Sequence, residues 1–346
     1  MTGQTISHYK IIEKLGEGGM GVVYKAEDLK LKRMVALKFL PSHVGASEPD
    51  KARFMQEAQA AAILNHPNVA TIYEIGEWSD DIFIAMENVE GTTLRKKIQG
   101  ETLTIDQAVN IGIQIASGLK AAHQKNIIHR DIKSENIMIT PEGHAKIMDF
   151  GLAKIKGGLD ITKSGSTVGT IGYMSPEQIQ GAEVDERADL WSLGIVLYEM
   201  IAGQRPFRAE HEAAIMYEIL NVEPKAIQSV RADVPEHLQI LVSHLLQKNA
   251  SQRISTAAEV IERLKKTGET VPLPVEAKSV AVLYFENMSS DKESDYFCAG
   301  ITEDIITDLS KIKELKVVSR SDVLPFRSKE INTRQVGETL RVNYIL

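Results

Sequence analysis

Gly16-Glu17-Gly18-Gly19-Met20-Gly21 is a G-x-G-x-x-G run. Glycines at those positions let backbone amides approach phosphate oxygens without interference from a Cβ. Alone, the run is weak evidence, since a glycine-rich hairpin turn is the alternative. A dinucleotide-binding loop opens a helix, whereas here the β-favouring Val22-Val23-Tyr24 follows at once. The expected unit is therefore strand, glycine turn, strand, with the loop lying over a ligand. Val35-Ala36-Leu37-Lys38 then places a lysine on a strand with apolar neighbours, unlike Lys30, Lys32 and Arg33, which read as solvated edge charges. Over a helix expected at Asp50–Leu64, Phe54, Glu57, Ala61 and Leu64 share one face, so Glu57 is a carboxylate in an apolar stripe. A buried carboxylate needs a partner. Lys38 is the candidate, and the pair would hold the lysine towards the α- and β-phosphates of a nucleotide.

Short strands must carry these groups: Lys10–Leu15, Val22–Glu27 and Arg33–Phe39, each bounded by glycine or charge. From Thr104 to Lys266 the pattern changes to long helical periods, as in Ile105–His123, Ala188–Ile201 and Leu238–Leu246. A strand-rich lobe followed by a helix-rich one predicts an α+β fold with a crevice between lobes, not an alternating βαβ domain. The expected domain covers residues 9–266, strand-rich over about 9–86 and helix-rich over about 92–266, with 87–91 joining the two. The spaced prolines and glycine of Thr267-Gly268-Glu269-Thr270-Val271-Pro272-Leu273-Pro274 predict an extended linker over 267–278. Residues 279–346 read as a small α/β piece. Its expected elements are a strand at Ser279–Phe285, a helix carrying Phe297, Ile301, Ile305, Leu309 and Ile312, and a strand at Lys316–Ser319. A helix at Arg334–Leu340 and a strand at Asn343–Leu346 follow, and a domain that stops on a strand reads as cut short.

The 346 residues leave room for about two domains. With 43% hydrophobic and 25% charged residues the composition is ordinary for a globular protein. Forty basic against 47 acidic residues give a net charge of -7, which argues against a surface built to neutralise nucleic-acid phosphates; no nucleic-acid partner is expected. The single cysteine, Cys298, allows neither an internal disulfide nor a multi-thiolate metal site. Met1–Lys10 shows no secretory leader, and no apolar run reaches the roughly 18 residues of a membrane span. The chain is expected to be soluble and cytoplasmic, with no membrane contact.

His129-Arg130-Asp131-Ile132-Lys133-Ser134-Glu135-Asn136 and Asp149-Phe150-Gly151 complete the series in the order of the protein-kinase signature. On these motifs the chain, from about Tyr9 to Lys266, resembles the eukaryotic-like serine/threonine protein kinases of bacteria. The resemblance implies the bilobal protein-kinase fold, ATP and Mg²⁺ as cofactors, and Ser and Thr hydroxyls of proteins as substrates. It makes Asp131 the general base. An aspartate at its ordinary pKa of about 3.9 is a weak base towards an alcohol, so its main work would be orienting the hydroxyl. Asn136 and Asp149 would hold Mg²⁺ as hard oxygen ligands, and Lys133 would neutralise charge on the γ-phosphate. With Lys38 and Glu57 these form the implied catalytic set. Leu15, Gly16, Glu17, Gly18, Gly19, Met20, Gly21 and Val22 would cover the nucleotide. Val23 and Ala36 from above and Met138 from below would sandwich adenine, Glu87 and Val89 would offer it backbone groups, and Met86 would guard the back pocket. His129 and Phe150 are expected to pack.

Lys133 and the segment Gly169-Thr170-Ile171-Gly172-Tyr173-Met174-Ser175-Pro176-Glu177 resemble the Ser/Thr class, with Ser175 standing where the family often has alanine. Glu177 should pair with Arg253, Asp189 should support the catalytic loop, and Trp191 should lie in the core. Thr162, Ser164, Ser166 and Thr167 are the expected regulatory sites. Phosphate there would bring about -1.5 to -2 charge for Arg130 to receive, which predicts activation by autophosphorylation, with self-association to deliver it. Residues 279–346 resemble the start of a TolB-like amino-terminal domain, in Val280-Ala281-Val282-Leu283-Tyr284-Phe285 and Gly300-Ile301-Thr302-Glu303-Asp304-Ile305, a likeness that names no chemistry. Two other functions compete. One is a catalytically silent nucleotide-binding scaffold, against which the completeness of Lys38, Glu57, Asp131, Asn136 and Asp149 speaks. The other is a small-molecule phosphotransferase of the same fold, which would lack a peptide platform such as Thr170–Glu177 with Arg253.

Overall fold

A computed structural model of the chain describes residues 1–18, 21–40, 55–56, 58–79, 81–150, 168–266, 278–283, 285, 293–312, 315–319, 323, 326, 336, 340, 342 and 344–346. It divides into two compact units, Met1–Glu269 and Thr270–Leu346.

The first unit opens with an antiparallel sheet in the order β1-β2-β3-β4-β6-β5. Its strands are β1 (Thr5–Ile6), β2 (Tyr9–Gly18), β3 (Gly21–Asp28), β4 (Arg33–Phe39), β5 (Ile72–Trp78) and β6 (Asp81–Glu87). Alternation along β4 sorts its side chains between two apolar clusters. Val35, Leu37 and Phe39 join Tyr9, Ile11 and Phe83, while Ala36 and Leu40 join Ala58, Ile82, Ile84 and Met86. Lys38 shares the second face, buried, in register with Ile84 and Val23. The glycine-bearing hairpin joins β2 to β3 with Gly18 opposite Gly21. At Gly21 only glycine fits: φ is +107°, and a Cβ would lie 1.8 Å from the carbonyl oxygen of Phe39.

After the sheet come β7 (Thr92–Thr93), α1 (Leu94–Gly100) and α2 (Ile105–His123). Thr104 caps α2, accepting from the Gln107 N–H while the Gln107 side chain accepts from the Thr104 N–H. Two short strands, β8 (Ile137–Ile139) and β9 (Ala145–Ile147), pair antiparallel, β8 also pairing with β7. Then follow α3 (Glu186–Ala202), α4 (Glu212–Asn221), α5 (Glu236–Leu245) and α6 (Ala257–Lys265). Every residue of α3 from Ala188 to Ile201 is buried. A helix enclosed on all sides is the post around which a helical lobe packs, so a polar side chain on it must have been given a partner.

The second unit is a three-stranded parallel sheet in the order β11-β10-β12, from β10 (Lys278–Ala281), β11 (Leu315–Val317) and β12 (Tyr344–Ile345). Helix α7 (Glu293–Leu309) makes the β10-to-β11 connection. The first strand is shorter than the expected Ser279–Phe285; beyond Ala281, the Leu283 N–H bond to Leu346 O at 2.9 Å continues the pairing. Most of the helix expected at 334–340 lies outside the described residues.

Candidate active site

The segment from His129 to Asn136 is held from below by Asp189, a fully buried carboxylate on α3. Asp189 accepts the backbone N–H of His129 (2.8 Å) and of Arg130 (2.7 Å), and its Oδ2 is 2.8 Å from His123 Nε2. Arg130 sits at φ +67°, a left-handed conformation costing a non-glycine residue about 1–2 kcal/mol. The paired amides offset that strain and aim the next residue outward. His129 Nδ1 accepts from the Asp131 N–H (3.2 Å), so Nε2 carries the proton and donates to Met148 O (2.8 Å). Both ring nitrogens are thus committed, and the ring packs edge-on against Phe150 at 4.6 Å. His129 is a structural residue.

Asp131 is left as the carboxylate facing the crevice. Lys133 Nζ lies 2.8 Å from its Oδ2 and 3.1 Å from Oδ1, and Asn136 Nδ2 donates to the same Oδ2 (3.0 Å) and to Asp131 O (2.9 Å). Lys133 also reaches Thr170 Oγ1 at 3.3 Å. Because Asn136 spends its amide nitrogen on Asp131, its carbonyl oxygen is the end free to act as a ligand.

Across the crevice, Lys38 Nζ is 2.8 Å from Asp149 Oδ1. Burial alone would push the Asp149 carboxyl up, but the adjacent Lys38 ammonium outweighs this and holds it below the usual range. Asp149, at φ +59°, is a second left-handed non-glycine residue. Val23 and Met148 pack on the cluster of Ala36 and Met86, and Ala36 faces Met86 in register. Glu87 ends β6, with Asn88 and Val89 half-buried after it; Met138 lies half-buried on β8. Leu15, Gly16, Glu17 and Gly18 end β2, while Val22 and Val23 begin β3 after Gly21. Gly19, Met20, Glu57, Gly151, Thr162, Ser164, Ser166 and Thr167 lie outside the described residues. The two sides thus bring together Lys38 with Asp149, and Asp131 with Lys133 and Asn136. Among the described residues no cluster of three or more His, Cys, Asp or Glu could hold a metal ion. Two oxygens, from an ionised Asp149 and from Asn136, fit a hard divalent ion whose shell is completed by phosphates and water.

Beside the catalytic loop, Arg253 binds Glu177 through two nitrogens, at 2.8 and 3.1 Å. It also donates to Arg187 O (2.7 Å) and stacks at 5.2 Å over the ring of Trp191, a fully buried core residue as expected. Burial pushes the Glu177 carboxyl up, and the Arg253 hydrogen bond and charge more than offset it, so the folded value lies below the usual one. Arg253→Met should therefore lower unfolding stability by about 2–4 kcal/mol, since it strands a largely buried carboxylate, 13% exposed. The pair's contribution is complete above the ordinary glutamate pKa of about 4.3 and is lost as pH falls through the depressed value. Thermal melts of both proteins between pH 7 and 3 should show the gap closing on acidification; a pH-independent gap would refute the assignment.

A second polar chain escaped the sequence reading. Tyr173 OH donates to Glu199 Oε2 (2.6 Å) and accepts from Ser134 Oγ (2.8 Å), and Arg95 bonds the other oxygen of Glu199. It links α1, α3, the Thr170–Glu177 segment and the catalytic loop. The one signal in the sequence is a carboxylate in a helix that is apolar on all sides.

The Protein kinase domain family matches residues 9–264. A probable serine/threonine-protein kinase of Clostridium perfringens is 38% identical over 283 residues, 81% of this chain and 41% of that protein. Serine/threonine-protein kinase PrkC of Bacillus subtilis is 38% identical over 267 residues, 77% of this chain and 41% of its own length. The chain therefore spans about two-fifths of these relatives. The crystal structure of the PknI kinase domain of Mycobacterium tuberculosis superposes with a TM-score of 0.63 at 25% identity, covering 77% of this chain and 98% of that one.

Proposed function

Because this chain belongs to the protein kinase domain family, we propose that it is an ATP- and Mg²⁺-dependent serine/threonine protein kinase, cytoplasmic, that activates itself by autophosphorylation. The observation that carries this reading is the convergence of two charged sets, Lys38 with Asp149 and Asp131 with Lys133 and Asn136, joined by the Met148 N–H bond to Asn136 O and by the Lys133 charge acting on Asp149. Asp131 accepts the hydrogen bond of a substrate Ser or Thr hydroxyl and fixes the oxygen's direction of attack. The bond from that oxygen to the γ-phosphorus forms as the bond to the bridging β–γ oxygen breaks, and the hydroxyl proton passes to Asp131. Lys133, already on the Asp131 carboxylate, stabilises charge on the transferred group, and Lys38 holds the α- and β-phosphates while keeping Asp149 ionised. Asp149 and Asn136 would hold a divalent ion, which when bound would supply neutralisation of the phosphate charge. Adenine lies between Val23, Ala36 and Met138, against backbone groups of Glu87 and Val89.

For the second unit we retain the TolB-like reading, supported by its parallel strands joined through a helix. Among the described residues no helix is long and apolar enough to cross a membrane.

Incubation with ATP, Mg²⁺ and a basic protein substrate, followed by phosphosite mapping, tests the function. Phosphoserine and phosphothreonine should accumulate on the substrate and at Thr162 and Ser164 of the chain, with Ser166 and Thr167 secondary. Changing all four to alanine should lower activity by an order of magnitude or more if phosphate–Arg130 pairing orders the site. Unchanged activity in that variant would sink self-activation; absence of phosphate from every protein present would sink the kinase reading.

A further inference from the structure

Lys146, on β9, has no part in the chemistry above, yet its ammonium is committed. It lies 2.8 Å from Glu87 Oε1 and 3.0 Å from Oε2, the two side chains 18% and 24% exposed. Glu87 in turn grips Thr71 twice, its backbone N–H donating to Thr71 O (2.8 Å) and its Oε2 accepting from Thr71 N–H (3.2 Å). The same stretch is stitched to β9: Ala70 N–H donates to Ile147 O and Ile147 N–H to Asn68 O, each at 2.9 Å. The Asn68 amide also donates to Ala145 O at 2.8 Å. Glu87, residues 68–71 and β9 therefore form one closed hydrogen-bonded ring. Lys146 closes it through the only charged contact among those named. β9 runs on through Met148, whose N–H donates to Asn136 O (2.8 Å), directly to Asp149.

We infer that Lys146 is a nucleotide-positioning residue. Its ion pair with Glu87 locks the end of β6, where adenine binds, to the strand that delivers Asp149 to the phosphates. The inference rests on the nucleotide site proposed above. A ligand gripped at both ends binds tightly only if the two grips keep a fixed separation, because ordering them on binding is subtracted from affinity. Lys146 maintains that separation without touching the nucleotide.

Direct titration with a fluorescent ATP analogue, independent of turnover, tests the inference beside steady-state kinetics. Lys146→Met and Glu87→Gln should each weaken nucleotide binding by about three- to tenfold, the range of a half-buried ion pair. The KM for protein substrate should stay within about twofold, Lys146→Arg should restore affinity, and the double variant should be no weaker than the worse single one. Unchanged affinity in Lys146→Met, even with a lowered melting temperature, would overturn the positioning role and leave a merely structural pair. So would singles whose effects multiply. If the parent protein fails to bind the analogue, the kinase reading itself falls, and the inference with it.

Discussion

Asp131→Asn should lower kcat by about 10²- to 10⁴-fold, roughly 3–5 kcal/mol of transition-state stabilisation, with little change in melting temperature or nucleotide affinity. The separation of effects follows from what Asp131 touches. An amide oxygen can still accept from Lys133 or from Asn136, which now hold the carboxylate at 2.8 and 3.0 Å, so the loop keeps its internal bonds. On the proposed mechanism, the lost quantity is the negative charge that orients the hydroxyl and receives its proton. Neutralising it also leaves the Lys133 ammonium without its closest anion. Single-turnover rates on a fixed serine peptide, with the analogue titration and a thermal melt alongside, give the answer. A kcat within threefold of the parent would remove Asp131 from the chemistry.

Lys38→Met should cost about 10²- to 10³-fold in kcat/KM for ATP, the scale seen when a charge-stabilising group is removed from a water-poor site. It should also move the pH profile. Asp149 is half-buried, its desolvation raises its carboxyl pKa, and the Lys38 charge at 2.8 Å is the first influence that lowers it again. Without Lys38 the raising influence prevails. Asp149 must be ionised to serve as a metal ligand, so activity that falls on acidification should begin to fall at higher pH in Lys38→Met than in the parent. A pH–rate profile of kcat/KM for each protein reads this displacement. An unmoved acidic limb would mean that Lys38 acts on the phosphates alone.

The strands around the glycine run were legible because their signals are local. Lys10–Leu15, Val22–Glu27 and Arg33–Phe39 fall within β2, β3 and β4, and alternation along β4 had already set Lys38 apart from Leu37 by face. Pairings within motifs known to recur together were legible too: Glu177 with Arg253, and Asp189 under the catalytic loop. The partner proposed for Lys38, Glu57, lies outside the described residues, and its described partner is Asp149, whose position in the chain alone gave no hint of the distance.

By itself the sequence determined which groups could act, because glycine freedom, strand alternation and helical period are properties of neighbouring residues. It also determined the order of lobes, since the change from one period to the other is visible along the chain. Only the tertiary structure decided who meets whom among the charged residues. Arg95 and Glu199 are 104 positions apart, and Lys146 and Glu87 are 59 apart. A charge pairs with whatever the packing of helices and strands brings within about 4 Å, and that distance is set by side-chain volumes in the core rather than by separation along the chain. The same packing commits both nitrogens of His129 and confines it to support, while Asp131, two residues later, faces the crevice.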